Sequence, residues 1–391
     1  MTDHRTGDAM PLKFCRRHAP KLLIAFFGLI VLAAAFGDVG GEAGAFLTSA
    51  LDVALFVVLA MLVYLADNRH PAFRWAAVLW LLVLIGALAA ATAGFGAVAI
   101  LPAEALGAGE VDPETVDPAL AAEVALLLLG VLAAALASLI GFSRRFRVRL
   151  AGYLPFDPDS LLHTVALVVI LAMTLIPPVP LLVTGIPPYL SPQFLDFLLE
   201  SGDLLADTVT LNAYTLFWTL IGSFFIAGAC VRRTPRETLE RLGLVRPTGK
   251  QIVLAVVAAF TLVGAFHFID PVLAALVGWL GLPVTDTEAV NRLFAGTLTL
   301  PGIVVASVAA GFGEEVSIRG LLQPRFGILL PALLFASLHA FQYSWDGLIS
   351  VFLAGIIFAY IRRYSNTTTS AITHTVYDLV LFSLLMAGIQ F

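Results

Sequence analysis

The feature that most restricts this chain is a series of eleven long, continuously apolar runs. They cover residues 21–37, 46–66, 75–101, 122–142, 161–183, 208–230, 251–281, 297–322, 328–343, 347–361 and 369–389. A helix needs about 20 apolar residues to cross a hydrocarbon core of roughly 30 Å. The runs lack the alternation of a membrane-barrel strand, so strands are excluded. Composition agrees: 60% of the 391 residues are hydrophobic and 13% are charged, against roughly 25% charged in a soluble domain. That excludes a soluble globular enzyme and a disordered chain. Twenty-two basic against 27 acidic residues give a net charge of -5, so no surface for nucleic acid is implied. Two cysteines are too few for a disulfide framework or a four-thiolate zinc site. The expectation is an all-α, polytopic helical membrane protein with about eleven transmembrane helices.

Basic residues set the orientation, because cytoplasmic loops carry the excess of Lys and Arg. With the N-terminus inside and each run flipping the side, Lys and Arg fall on the inner face at 5–21, 69–74, 144–149, 232–250, 319–325 and 362–363. Only Arg292 falls outside, and the outer loops are acidic, from Glu104 to Asp117 and from Asp196 to Asp207. The expected topology is N-in, C-out. The wealth of Ala, Leu and Gly points to a bacterial inner membrane. Arg16 and Arg17, the first run and the segment Glu42–Ala45 mimic a secretory signal. Cleavage would remove a helix that the charge alternation uses, so the first run reads as a retained span.

The longest inner loop, 232–250, divides the chain into an N-terminal membrane region of six spans (1–234) and a C-terminal membrane domain of five (235–391). Thr234 or Pro235 can start a short helix there and Gly243 can end it. Either that helix lies in the interface, with Leu239, Leu242 and Leu244 dipping in and Arg236 and Arg241 facing headgroups, or the segment is a plain basic linker.

Ionisable groups inside a bilayer are expensive and mark function by default. The first six runs hold few: Asp52 and His163, each near a run's end. The seventh has His267 and Asp270 on one face, either a structural hydrogen bond or part of a polar cavity. Three later runs differ. The eighth carries Gly313-Glu314-Glu315 and then Arg319, the ninth carries Phe335 and His339, and the eleventh carries His374 and Asp378. Glu315 and Arg319 share a helix face, as do His374 and Asp378, while Glu314 points about 100° away from Glu315. At about 1.5 Å per residue, these groups reach similar depths in the inner half of the membrane. A purely structural network would agree in depth only by accident.

A carboxylate and an imidazole at one point can activate water. Glu314 suits a general base, His339 can hold or share the water, and His374 can donate to a developing oxyanion. Glu315 paired with Arg319 would fix the helix end. Ser317 and Ser337 have no dedicated base and neither cysteine lies in these motifs, so hydrolysis by activated water is the economical reaction. The same side chains also make a catalytic zinc set, Glu314, His339 and His374 with one open position, without the compact His-Glu-x-x-His pattern. Both mechanisms stay open on the residues alone.

At these positions the chain resembles the CAAX protease and bacteriocin-processing (CPBP, also called ABI) intramembrane proteases. The motifs are Glu-Glu-x-x-x-Arg, Phe-x-x-x-His and His-x-x-x-Asn/Asp, in that order, with one motif-free span between the second and third. The resemblance covers about residues 235–390, including Leu242-Gly243-Leu244 as its opening segment. It implies Glu314 and His339 as the water-activating pair, Glu315, Arg319 and Phe335 as supporting residues, and His374 with Asp378 as the oxyanion site. Eukaryotic CAAX proteases have asparagine where Asp378 stands. Asparagine always has a donor and aspartate only when protonated, which makes a metal-ligand or His374-orienting role for Asp378 more credible. The family is labelled metalloprotease by some criteria and read as glutamate-type by others. Metal-free chemistry is the expectation, with zinc the alternative.

The implied partners are a membrane-associated peptide or protein substrate and the lipid bilayer. No feature requires a prenylated terminus. Leader peptides, pheromones and membrane-protein tails fit equally. Two other functions compete. An ion-coupled transporter would show two related halves, but the polar residues concentrate in the last 80. A non-catalytic scaffold or immunity protein would not need Glu314, His339 and His374 intact.

Overall fold

The computed structural model describes residues 18–37, 41–68, 71–101, 117–200 and 208–389. The basic N-terminus with Arg16 and Arg17, most of the two acidic outer loops and Phe391 lie outside these residues. Among the described residues every regular element is helical, with one isolated bridge between Ala229 and Arg233. The chain is an all-α polytopic membrane protein.

Helices long and apolar enough to cross a membrane number nine among the described residues, or ten if one bent pair counts as a single span. The N-terminal region begins with α1 (Ala19–Phe36) and the bent pair α2 (Gly41–Ser49) and α3 (Leu51–Asn68), whose axes differ by 41°. It continues with α4 (Ala72–Ile100), α5 (Pro118–Ser138), a short basic helix α6 (Arg144–Ala151), and α7 (Leu161–Leu175) extended by α8 (Val179–Thr184). A short α9 (Pro192–Glu200) precedes α10 (Thr208–Ile226), the sixth run.

The linker of 232–250 contains one helix, α11 (Pro235–Leu242). Thr234 and Glu237 close a reciprocal cap at its start, and Gly243, at φ 73°, ends it in the left-handed region. Its expected interfacial face is only partly realised. Leu239 is exposed, but Leu242 is buried against Ala227 and Val316. Arg236 pairs with Glu240 at 3.2 Å in the open, and Arg241 turns toward the bundle.

The C-terminal part follows with α12 (Gly249–Trp279), α13 (Thr287–Leu293) and α14 (Leu300–Val308), which runs into a π-helical segment (Ala309–Leu322) and a last turn, α15 (Gln323–Phe326). Then come α16 (Leu329–Leu338), α17 (Trp345–Tyr364) and α18 (Thr367–Met386).

The ninth run, expected over 328–343, is not one long helix. Its helix α16 has ten residues, about 15 Å. Beyond Leu338 the backbone turns, and partners distant in sequence take over its polar groups. The Tyr189 N–H donates to the Phe341 carbonyl at 2.9 Å, and the Ser344 N–H donates to Thr285 Oγ1 at 3.0 Å. Irregular backbone is tolerated at membrane depth when protein groups satisfy it in this way.

Two spans form the centre. Of the most apolar windows, 56% is buried in Leu161–Thr184 and 44% in Leu300–Phe326, against 28% or less elsewhere. Helix α7 explains its place by its two faces. Val165, Val168 and Ala172 join the N-terminal core with Val57, Met61 and Leu81. Leu167 and Ile170 pack instead against Ile318, Phe326, Leu334 and Phe335. The outer stripe Leu126, Leu129, Leu132 and Leu136 of α5 is exposed, as a lipid-facing surface requires. His163, at the start of α7, accepts the Asp157 N–H at 2.9 Å, a local turn bond.

Candidate active site

The eighth run changes its helical register at its motif. From Ala309 to Leu322 the turns are π-helical, and the Gln323 N–H bonds the Ile318 carbonyl five residues back. Such turns are rare and frequent at functional sites. Gly311 lets α18 come close here. A Cβ at that position would stand 2.6 Å from the Thr375 backbone nitrogen and 2.9 Å from the Ala371 oxygen. Backbone against backbone, the π segment and α18 bring the twin glutamates beside His374.

The two glutamates part company. The Glu315 side chain is 0% exposed and lies on Arg319, 1% exposed, at 2.9 Å. Ser370 Oγ donates to Glu315 Oε2 at 2.6 Å, and His374 Nδ1 stands 3.2 Å from Glu315 Oε1. Arg319 in turn donates to the Gly355 carbonyl at 3.2 Å and lies 4.2 Å from the Phe335 ring centroid. Hydroxyl, imidazole, carbonyl and aromatic face surround this buried pair, while Arg319 Nη1 meets Glu315 Oε1 by charge without an aligned hydrogen bond.

Glu314 is 36% exposed and lines a cavity of about 830 Å³. His339, His374, Asp378 and Phe335 line the same cavity. The expected catalytic residues thus share one space, and the expected supporting pair sits behind it. His374 stacks on Phe358, with centroids 4.4 Å apart and an interplanar angle of 20°. Its Nε2 lies 3.4 Å from Asp378 Oδ2 and 3.9 Å from Glu314 Oε2.

His339 occupies the end of α16, and its Nδ1 lies 2.8 Å from the Phe335 carbonyl. A carbonyl can only accept, so Nδ1 carries the proton and Nε2 of the neutral ring keeps its lone pair. Phe335 therefore serves three neighbours: its ring faces Arg319, it stands nearly perpendicular to His374 with centroids 6.1 Å apart, and its carbonyl orients His339.

Sequence reasoning missed several contributors. Ser370 stands four residues before His374, so the same helical spacing that linked His374 to Asp378 signals it. Phe358 and Gly355, on the motif-free α17, leave no signal in the chain. His267 and Asp270 prove to line the cavity, with Ser350 Oγ donating to Asp270 Oδ1 at 2.5 Å. Asn212 and Thr215 of α10 line it too, so a helix from before residue 235 helps to enclose the site.

The zinc alternative would need Glu314, His339 and His374 to converge on one point. Among the described residues no three His, Cys, Asp or Glu side chains are grouped to hold an ion. Glu314 Oε2 and His374 Nε2 stand 3.9 Å apart, and His339 lines the same cavity.

Residues 296–380 match the family model described as Type II CAAX prenyl endopeptidase Rce1-like. That stretch holds all three motifs, and it agrees with the resemblance to the CPBP family. The uncharacterized protein YpbD of Bacillus subtilis (strain 168) is 26% identical over 106 residues, which are 27% of this chain and 56% of that relative. The match thus spans about half of the curated relative's length. No solved structure matches the chain.

Proposed function

We propose, from the likeness of residues 296–380 to the type II CAAX endopeptidases, that this protein is an intramembrane endopeptidase. It hydrolyses a peptide bond in a membrane-associated peptide or protein. The observation that carries the proposal is the division of labour between adjacent glutamates. One faces a cavity shared with two histidines, and the other is locked behind it on Arg319.

The Glu314 carboxylate takes a proton from a water whose second hydrogen is held by His339 Nε2. The water oxygen attacks the scissile carbonyl carbon. The carbonyl oxygen, now an oxyanion, accepts a hydrogen bond from His374 Nε2–H, an interaction worth most in a water-poor site. Glu315 holds Nδ1–H on the far side of that ring, and Asp378 sets its tilt. The C–N bond then breaks, and the proton on Glu314 passes to the leaving amine. The balance closes without a covalent intermediate and without metal.

In the N-in topology this chemistry lies in the cytoplasmic half of a bacterial inner membrane. Leader peptides, membrane-protein tails and prenylated termini are the substrate classes to compare. The test is peptide release from a membrane-protein library by the wild-type and Glu314→Gln proteins. Release that depends on Glu314 is expected. Equal release by both, or none by the wild type across all three classes, overturns the proposal in favour of a non-catalytic scaffold.

A further inference from the structure

We infer that Arg241 is a positioning residue, and that α11 is the clip that sets the two motif-bearing helices against each other. The inference rests on the endopeptidase reading for its kinetic arm alone.

The need for a clip arises in the sequence of the π segment's end. Pro324, in the turn that follows the π segment, has no N–H, so the end of this helix has one backbone donor fewer for its last carbonyls. An unmet carbonyl near membrane depth is costly. Arg241 fills the gap from 79 positions away. Its Nη1 donates to the Gly320 carbonyl at 2.8 Å and its Nη2 to the Leu321 carbonyl at 3.2 Å. The planar fork of a guanidinium suits two consecutive carbonyls, and an ammonium does not. Burial, and then the neighbouring Arg233, Arg325 and Arg362, lower the Arg241 pKa to about 10, so the fork stays charged at neutral pH.

The same turn of chain grips the other helix. The Gly243 carbonyl accepts the Thr367 N–H at 3.1 Å, at the first residue of α18. A Cβ on Gly243 would stand 3.2 Å from the Thr367 backbone nitrogen and 2.6 Å from its Oγ1, and a Cβ on Gly320 would stand 2.9 Å from the Leu242 backbone oxygen. Backbone meets backbone at both contacts. Three consecutive residues, Arg241, Leu242 and Gly243, thus fix the end of the helix that carries Glu314 and the start of the helix that carries His374. The 3.9 Å between Glu314 Oε2 and His374 Nε2 depends on both.

The experiment compares full-length wild type, Arg241→Ala, Arg241→Lys and, as a control on the same helix, Arg236→Ala. Amide hydrogen exchange is read in 309–322 and 367–378, with α3 as internal reference. Arg241→Ala is expected to speed exchange in both segments by about tenfold or more, the scale of one lost charge-assisted hydrogen bond, with α3 unchanged. On a released peptide, kcat should fall about 10- to 100-fold, the scale of misplaced catalytic groups, with KM little changed. Arg241→Lys should recover part of both losses, and Arg236→Ala should match wild type. Unchanged exchange in Arg241→Ala overturns the clip, whatever the kinetics. A kcat loss with wild-type exchange also overturns it, since Arg241 would then act on substrate directly. A wild type without peptidase activity overturns the proposed function, while the exchange arm still decides on the clip.

Discussion

Glu315 and His374 meet across two helices, with His374 Nδ1 3.2 Å from Glu315 Oε1. The carboxylate that Arg319 anchors therefore orients the imidazole, whose opposite nitrogen points toward Glu314 at 3.9 Å. The buried member of the glutamate pair acts on the exposed member's partner. Damage to the anchor should show first in folding and only then in chemistry.

Arg319→Ala should lower yield and thermal stability, since it leaves the fully buried Glu315 without its counter-charge. The expected loss is about 3–5 kcal/mol, the usual cost of breaking a buried pair. Thermal unfolding in detergent measures it. A variant of wild-type stability with no activity would instead place Arg319 against the substrate.

Gly311→Ala should destabilise by about 1–3 kcal/mol, as overpacking does. Its new methyl group meets the backbone of α18 at Thr375 and Ala371, which cannot yield as a side chain can. The check is the shift in unfolding midpoint, with Gly264→Ala, where a Cβ meets nothing within 4 Å, as the control. Equal midpoints would mean that the π segment and α18 stand further apart than described.

Topology turns on one short helix. Among the described residues, nine long helices and the bent pair offer up to ten candidate spans; ten crossings would return the C-terminus to the inner side. Helix α16, the eleventh, has ten residues. The alternation of Lys and Arg predicts that it counts as a crossing, giving N-in and C-out. A C-terminal reporter active only in the cytoplasm should be silent, and strong activity would show that α16 enters and leaves by the same face.

Exhaustive chelation should leave activity intact, while Glu314→Gln should lose about 100- to 10,000-fold, the scale of general acid–base catalysis, and keep its fold. Asp378→Asn should be tolerated, because an amide can still hold His374 Nε2. Stoichiometric zinc, loss on chelation and rescue by added zinc, together with an inactive Asp378→Asn, would replace the glutamate mechanism with a metal one.

The apolar runs alone fixed the class, because only continuous helix satisfies its own backbone in lipid. Among the described residues, nine of the eleven runs carry a helix long enough to span. The ninth misled because hydropathy records transfer cost and is blind to a backbone that turns where distant groups, here Tyr189 and Thr285, meet its polar atoms. Helical spacing also foretold the pairs Glu315–Arg319 and His374–Asp378, since neighbours on one helix depend only on local geometry. The same spacing separated Glu314 from the Glu315–Arg319 face; what it could not assign was everything that crosses between helices: the Ser370 and His374 bonds to Glu315, the stacking of Phe358, and the inward turn of Arg241. Those follow from how closely two backbones approach. That approach is set by glycines at 311, 320 and 243, whose missing side chains carry no chemistry of their own and gain meaning only against the atoms that pack on them.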